Sequence, residues 1–177
     1  MLASAKSPIS KQDRWRTAVA SFLFADLCGF TAYTRLHGDE LAADLAIEFQ
    51  ERVRELAAEE GCSVVKSIGD AVMVHSRDCR AAARLACRIL ALSEADGFLP
   101  IRVGLDSGPA VRRGEDWYGS TVNAASRVAD AATPGELLMT ERARSAMAPS
   151  ASFTLVERGV RSLKGMPALA LHAVVAS

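Results

Sequence analysis

Two aspartates stand where a charge needs a reason. Asp26 closes the apolar run Ala18–Ala25 (AVASFLFA), and a charge at the end of a buried strand is costly unless it is paired or holds a cation. Asp70 follows Gly69 in the turn between two short apolar pieces, Ser63–Lys66 and Ala71–His75. The simplest pairing sets that hairpin beside the first strand, with both carboxylates at one lip of a sheet. Two carboxylates brought together repel, and a divalent cation is the usual remedy. Ligation by oxygen alone favours magnesium, manganese or calcium over zinc. Taken singly, each aspartate also reads as an ordinary turn residue.

Gly29-Phe30-Thr31 follows Asp26 and leads into a helix. A strand, an acidic residue and a glycine-bearing turn leave backbone N–H groups that can donate to phosphate oxygens. Neither a Walker A loop nor a G-x-G-x-x-G is present. Asn123 and Arg127 share one face of a later helix. An amide and a guanidinium there suit a ribose and a phosphate, and equally a plain solvated face. Lys66 and Lys164 each stand just before a turn, where edge-strand charges are common, and Asp116 precedes Trp117-Tyr118-Gly119 as a turn former does.

The elements that must position these groups follow from hydrophobic spacing. Ala18–Ala25 reads as a buried strand, and Leu41, Leu45, Phe49, Val53 and Leu56 mark an amphipathic helix from Asp39 to near Gly61. The Ser63–Lys66/Ala71–His75 hairpin is followed by a helix from about Asp78 to Glu94, then by a strand in which Ile101, Val103 and Leu105 alternate with Arg102, Gly104 and Asp106. Gly108-Pro109 is expected to break that strand, and Gly114 to return the chain. Ser120 is the expected N-cap of a third helix with Val122, Ala125 and Val128 inward, ended by Pro134-Gly135. Glu136–Thr140 reads as a strand, Glu141–Met147 as a short helix, and Phe153–Arg158 pairs with Ala168–Val175. Residues 1–17 read as a loose leader. The fold class is α+β, a mostly antiparallel sheet with helices packed on one face.

Composition narrows the field. The chain has 177 residues, 50% hydrophobic and 24% charged, with 21 basic residues balancing 21 acidic ones. That is globular composition, and a zero formal net charge argues against nucleic acid or acidic membranes as partners. The first 16 residues carry no apolar signal core, and the longest apolar stretch is far short of a membrane span. Cys28, Cys62, Cys79 and Cys87 form no C-x-x-C pair; they are expected as free thiols in a reducing cytoplasm.

Three segments in order change the weight of these signals. Phe24-Ala25-Asp26-Leu27-Cys28-Gly29-Phe30-Thr31, Lys66-Ser67-Ile68-Gly69-Asp70 and Asp116-Trp117-Tyr118-Gly119-Ser120-Thr121-Val122-Asn123-Ala124-Ala125-Ser126-Arg127 together resemble the catalytic domain of class III nucleotide cyclases. Gly104-Leu105-Asp106-Ser107-Gly108 and Pro134-Gly135-Glu136 fit the same pattern. The resemblance extends over nearly the whole chain and implies a catalytic domain at residues 18–177. It implies a ferredoxin-like, palm-like βαββαβ core. Asp26 and Asp70 correspond to two metal-binding aspartates, with the Leu27 carbonyl as a further ligand, holding two Mg²⁺ or Mn²⁺ per site. Gly29, Phe30 and Thr31 correspond to the turn that receives the triphosphate, Lys66 and Asp116 to the positions that read the purine, and Lys164 to a contact with the terminal phosphates. Val122 falls among the substrate-binding positions, Asn123 corresponds to the ribose-orienting residue and Arg127 to the transition-state residue.

The base preference has a physical argument. Adenine donates from its N6 amine and accepts at N1, so an aspartate and a lysine suit it; guanine reverses those edges. ATP is therefore the expected substrate, and a hydrogen-bonding mismatch discriminates by on the order of 10⁴ where the site is dry. The resemblance implies an adenylate cyclase making 3′,5′-cyclic AMP and pyrophosphate for signal transduction, with sites built across a homodimer interface. The short stretch Ala110–Glu115 before Asp116 predicts a weak or substrate-assisted dimer. The competing readings are a catalytically silent nucleotide-binding module and a guanylate cyclase. A diguanylate cyclase lacks its Gly-Gly-Asp/Glu-Glu-Phe signature here, and a nucleic-acid binder lacks interleaved basic and aromatic residues.

Overall fold

The structure is a computed structural model that describes residues 16–147 and 153–175. Its first strand shows why the sheet is covered twice. β1 (Arg16–Leu27) is apolar at consecutive positions through its second half, the pattern of a strand buried on both sides. Leu23, Ala25 and Leu27 enter one apolar cluster while Ala20, Phe22 and Phe24 enter another.

β1 is followed by α1 (Phe30–His37), α2 (Asp39–Glu59), the hairpin β2 (Ser63–Ile68) and β3 (Ala71–Ser76), α3 (Cys79–Ala95) and the long β4 (Ile101–Arg113). β5 (Asp116–Tyr118), α4 (Ser120–Ala131), β6 (Leu137–Thr140), α5 (Glu141–Ala146), β7 (Thr154–Arg161) and β8 (Leu169–Val175) complete the described chain. The strands form one sheet in the order β2-β3-β1-β4-β6-β8-β7, with β5 folded onto the end of β4. Every pairing is antiparallel except β4 with β6. The expected α+β class and βαββαβ core are present, the core sheet being β2-β3-β1-β4.

The helices do not share one face, which corrects the expected layering. Phe49 and Val53 of α2, Leu85 and Ile89 of α3 and Ala143 of α5 pack with Leu23, Ala25, Val103 and Leu105. α4 covers the opposite face, where Val122, Ala125 and Ala129 meet Phe22, Phe24 and Met73. It lies so close that a Cβ on Gly104 of β4 would stand 2.0 Å from the Ala129 backbone nitrogen and 2.5 Å from the Ala125 carbonyl oxygen. Only glycine fits at this crossing.

Three local expectations are also corrected. Arg16 and Thr17, assigned to a leader, open β1 opposite Arg112 and Val111; the rest of that leader, 1–15, lies outside the described residues. Gly108-Pro109 does not break β4, which pairs with β1 through both residues. β6 pairs only with Val103–Leu105, so the proline nitrogen falls where the ladder needs no donor. Ser120 is the first helical residue of α4; the N-cap is Gly119, with no side-chain cap. The helix expected after Gly29 is α1, and Gly38, whose φ is +90°, divides it from α2, which begins at Asp39 as expected.

Candidate functional site

β1 and the β2–β3 turn bring the two aspartates together. Asp26 stands opposite Ala71 in the β1/β3 ladder, so Asp70 in the adjoining turn faces it. The Gln50 side-chain amide donates to the Gly69 carbonyl at 3.0 Å and ties that turn to α2. Burial and then the charge of Asp26 push the Asp70 carboxyl up from 3.8 to about 6. A half-buried carboxylate facing a second one is short of positive charge.

One cation from the chain partly meets that need, and the sequence reading passed over it. Arg102, read only as the polar phase of β4, lies opposite Asp26 in the β1/β4 ladder. Its Nε and Nη2 donate to Asp26 Oδ2 at 2.9 and 2.6 Å. The available signal was strand pairing: any antiparallel register joining the two strand ends sets position 102 beside 26. Arg102 also donates through Nη1 to the Asp130 carbonyl at 3.0 Å, a cation at the last turn of α4 where the helix dipole is negative.

These residues line a cavity of about 420 Å³ with Leu27, Cys28, Gly29, Phe30, Thr31, Ala132 and Pro134. Gly29 is the N-cap of α1 with φ +81°, so the first-turn amides of α1, which have no intrahelical acceptor, lie at its wall. The Leu27 side chain is buried in the core and the partly buried Phe30 packs against it. Among the described residues no three His, Cys, Asp or Glu side chains gather into a metal-binding group. A pair of carboxylates with backbone oxygen suits magnesium, which is held by one or two carboxylates together with phosphate oxygens.

The second set lies elsewhere on the α4 side of the sheet. A register shift between Val64 and Lys66 in the β2/β3 ladder turns Lys66 onto that face, opposite Met73. Lys66 Nζ donates to both Asp116 oxygens, at 3.0 and 2.7 Å. Burial opposes the charge on Asp116, but Lys66 and the Trp117 N–H, 2.8 Å from Oδ1, hold its carboxyl below the usual range. Trp117 anchors β5 by stacking on His75 at 4.6 Å and meeting Phe22 edge-on at 5.4 Å.

Asn123 and Arg127 are both exposed on α4, and Arg127 Nη1 pairs with Asp130 Oδ2 at 3.0 Å. Val122 is buried against the sheet, which leaves its backbone for any ligand contact. Lys164 is exposed in the β7–β8 turn. None of Lys66, Asp116, Asn123, Arg127 and Lys164 lines the Asp26–Asp70 cavity. The expected site residues therefore fall into two separate groups on one chain. No described helix is long and apolar enough to cross a membrane.

Comparison with known proteins identifies the family and the fold. The family described as "Adenylate and Guanylate cyclase catalytic domain" matches residues 14–175. The pH-sensitive adenylate cyclase of Mycobacterium tuberculosis is 37% identical over 147 residues, covering 81% of this chain and 37% of that protein. The chain thus spans little more than a third of that relative. Among solved structures, the adenylyl cyclase CyaB from P. aeruginosa superposes with a TM-score of 0.83 at 22% identity, over 92% of this chain and 96% of the other. The guanylate cyclase domain of RhGC from Catenaria anguillulae, solved with GTP, gives 0.80 at 21% identity, over 91% and 98%. The shared fold alone leaves the choice of base open.

Proposed function

The chain belongs to the adenylate and guanylate cyclase catalytic domain family, and from that premise we propose that it converts ATP into 3′,5′-cyclic AMP and pyrophosphate at two sites formed between two copies. The observation that carries this reading is the convergence of Asp26 and Asp70 in one cavity beside the α1 N-terminus, with the base- and ribose-facing residues outside it.

Asp26, Asp70 and the Leu27 carbonyl would hold Mg²⁺ or Mn²⁺, which when bound acidifies the ribose 3′-hydroxyl and offsets the triphosphate charge. The Gly29–Thr31 turn donates backbone N–H groups to phosphate oxygens. Arg102, no longer needed as the sole counter-charge of Asp26, has those same oxygens as its next acceptors. From the second copy, Lys66 donates to adenine N1 and Asp116 accepts from N6. Asn123, on α4 beside the Val122 backbone, orients the ribose. As the 3′-oxygen attacks the α-phosphorus in line and pyrophosphate departs, Arg127 stabilises the charge on the α-phosphoryl oxygens and Lys164 neutralises the leaving group.

The Lys66–Asp116 pair supports adenine over guanine, because it presents one donor and one acceptor in adenine's order. Incubating the purified protein with ATP or GTP and Mg²⁺ or Mn²⁺, then identifying the cyclic product, tests the reaction. The shared site has its own test. Asp26→Ala and Arg127→Ala chains, each inactive alone, regain about a quarter of wild-type turnover when mixed, since half of the dimers carry one intact site of two. No recovery on mixing removes the two-chain site while leaving the reaction standing.

A further inference from the structure

Tyr118 is an aromatic side chain that the core does not use. It is 49% exposed, whereas Trp117 beside it is buried and holds β5 to the sheet. Successive residues of a strand face opposite ways, so Tyr118 shares the side of β5 that Asp116 presents to Lys66. The Lys66 ammonium lies 5.9 Å from the centre of the Tyr118 ring, inside the range of a cation–π contact. The Tyr118 hydroxyl adds to the influences that keep the Asp116 carboxyl acidic.

Lysine reads a base poorly unless something fixes its end, because its four-carbon stem swings freely. In the free chain both Asp116 oxygens serve that purpose. An incoming adenine that donates its N6 hydrogen to Asp116 takes one of them, and the ammonium is then restrained by the other oxygen and by the face of Tyr118. We propose that Tyr118 is the positioning residue for purine recognition, holding Lys66 aimed at N1 when a base enters. The proposal rests on the base-reading assignment of Lys66 and Asp116 and adds a third member to it. A guanine gains nothing from the device, because its N1 carries a hydrogen where Lys66 needs an acceptor.

The test compares kcat/KM for ATP and for GTP in the full chain with Mn²⁺ for wild type, Tyr118→Phe and Tyr118→Leu. Tyr118→Leu removes the ring at similar volume and is expected to lower the ATP/GTP ratio roughly fivefold, through KM for ATP, with GTP scarcely changed. Tyr118→Phe keeps the ring and is expected to keep the ratio within about twofold. In a Lys66→Met background, Tyr118→Leu is expected to change the ratio no further, the mark of two residues acting through one another. If wild type favours ATP while Tyr118→Leu leaves the ratio intact, or lowers ATP and GTP alike, the role of Tyr118 is overturned and the base-reading pair survives. A wild-type enzyme that turns over both nucleotides without preference overturns the pair itself, and Tyr118 with it. Tyr118→Trp covers the case in which the leucine variant fails to fold; with its ring retained it must preserve the preference for ATP, and losing it overturns the proposal.

Discussion

The two charged clusters of this chain solve opposite electrostatic problems. At the Asp26–Asp70 cavity two carboxylates face each other with one guanidinium between them and the helix C-terminus, and Asp70 is pushed toward neutrality. At Lys66 and Asp116 one cation meets one anion through two hydrogen bonds, and the carboxyl is kept charged. The first region lacks positive charge until something brings it; the second is balanced and needs only a partner whose donors and acceptors match. On the proposed function, metal dependence and base choice belong to different parts of the surface and are expected to fail separately under mutation.

The largest expected separation comes from Asp26→Ala, which removes one of the two carboxylates. Metal-dependent cyclase activity is expected to fall by at least about 10³-fold, while the protein still folds by circular dichroism. Activity retained at low metal concentration would break the assignment of that cavity. Next comes Arg127→Ala, expected to lower kcat roughly 10²–10³-fold with KM little changed, as when one transition-state donor is lost; steady-state kinetics on ATP read the split. Third is a swap confined to the balanced pair. Lys66→Glu with Asp116→Ser presents guanine with an acceptor for N1–H and a donor for O6, and is expected to shift the ratio of kcat/KM values toward GTP by about 10²-fold with the metal requirement unchanged.

The smallest effect is a pH signature of the first region in metal-free protein. The folded-state pKa of Asp70 is raised from 3.8 to about 6, so the fold holds this proton more tightly than the unfolded chain does. Stability from this group is fullest below about pH 4 and declines as pH rises through 6. Asp70→Asn removes the penalty. It is expected to stabilise the metal-free protein at pH 7.5 by about 1 kcal/mol, solvent screening of a half-buried carboxylate having cut the full value, and to bring no gain near pH 4. Urea denaturation at the two pH values measures the difference.

The core order of elements was legible because apolar spacing announces it: β1, the β2–β3 hairpin and α2, α3 and α4 all lie where their patterns predict. The unbroken run in β1 also held the sign that helices cover both faces, since Phe22 and Leu23 cannot point the same way. What was not legible depends on pairing. Arg102 became part of the cavity only through its register with Asp26. Pro109 fits within β4 because β6 has already ended beside it. Taken by residue type alone, Lys66 and Asp116 are separate turn-side charges that only the cyclase resemblance links, and a bulge in β2 with a three-residue strand after β4 brings them into contact. Such contacts rest on the meeting of segments far apart in the chain, and a local pattern carries no record of that meeting.

The contact of Gly104 with Ala125 and Ala129 bears on how such an enzyme could be governed. Backbone against backbone leaves α4 little room to shift on β4, so the backbone at Arg127 is set by the sheet beneath it. The helix therefore cannot carry that residue toward or away from the sheet, and the freedom left there belongs to its exposed side chain. In the two-chain site proposed above, a change in how one chain sits against the other would therefore move Arg127 together with α4 and its sheet as one body.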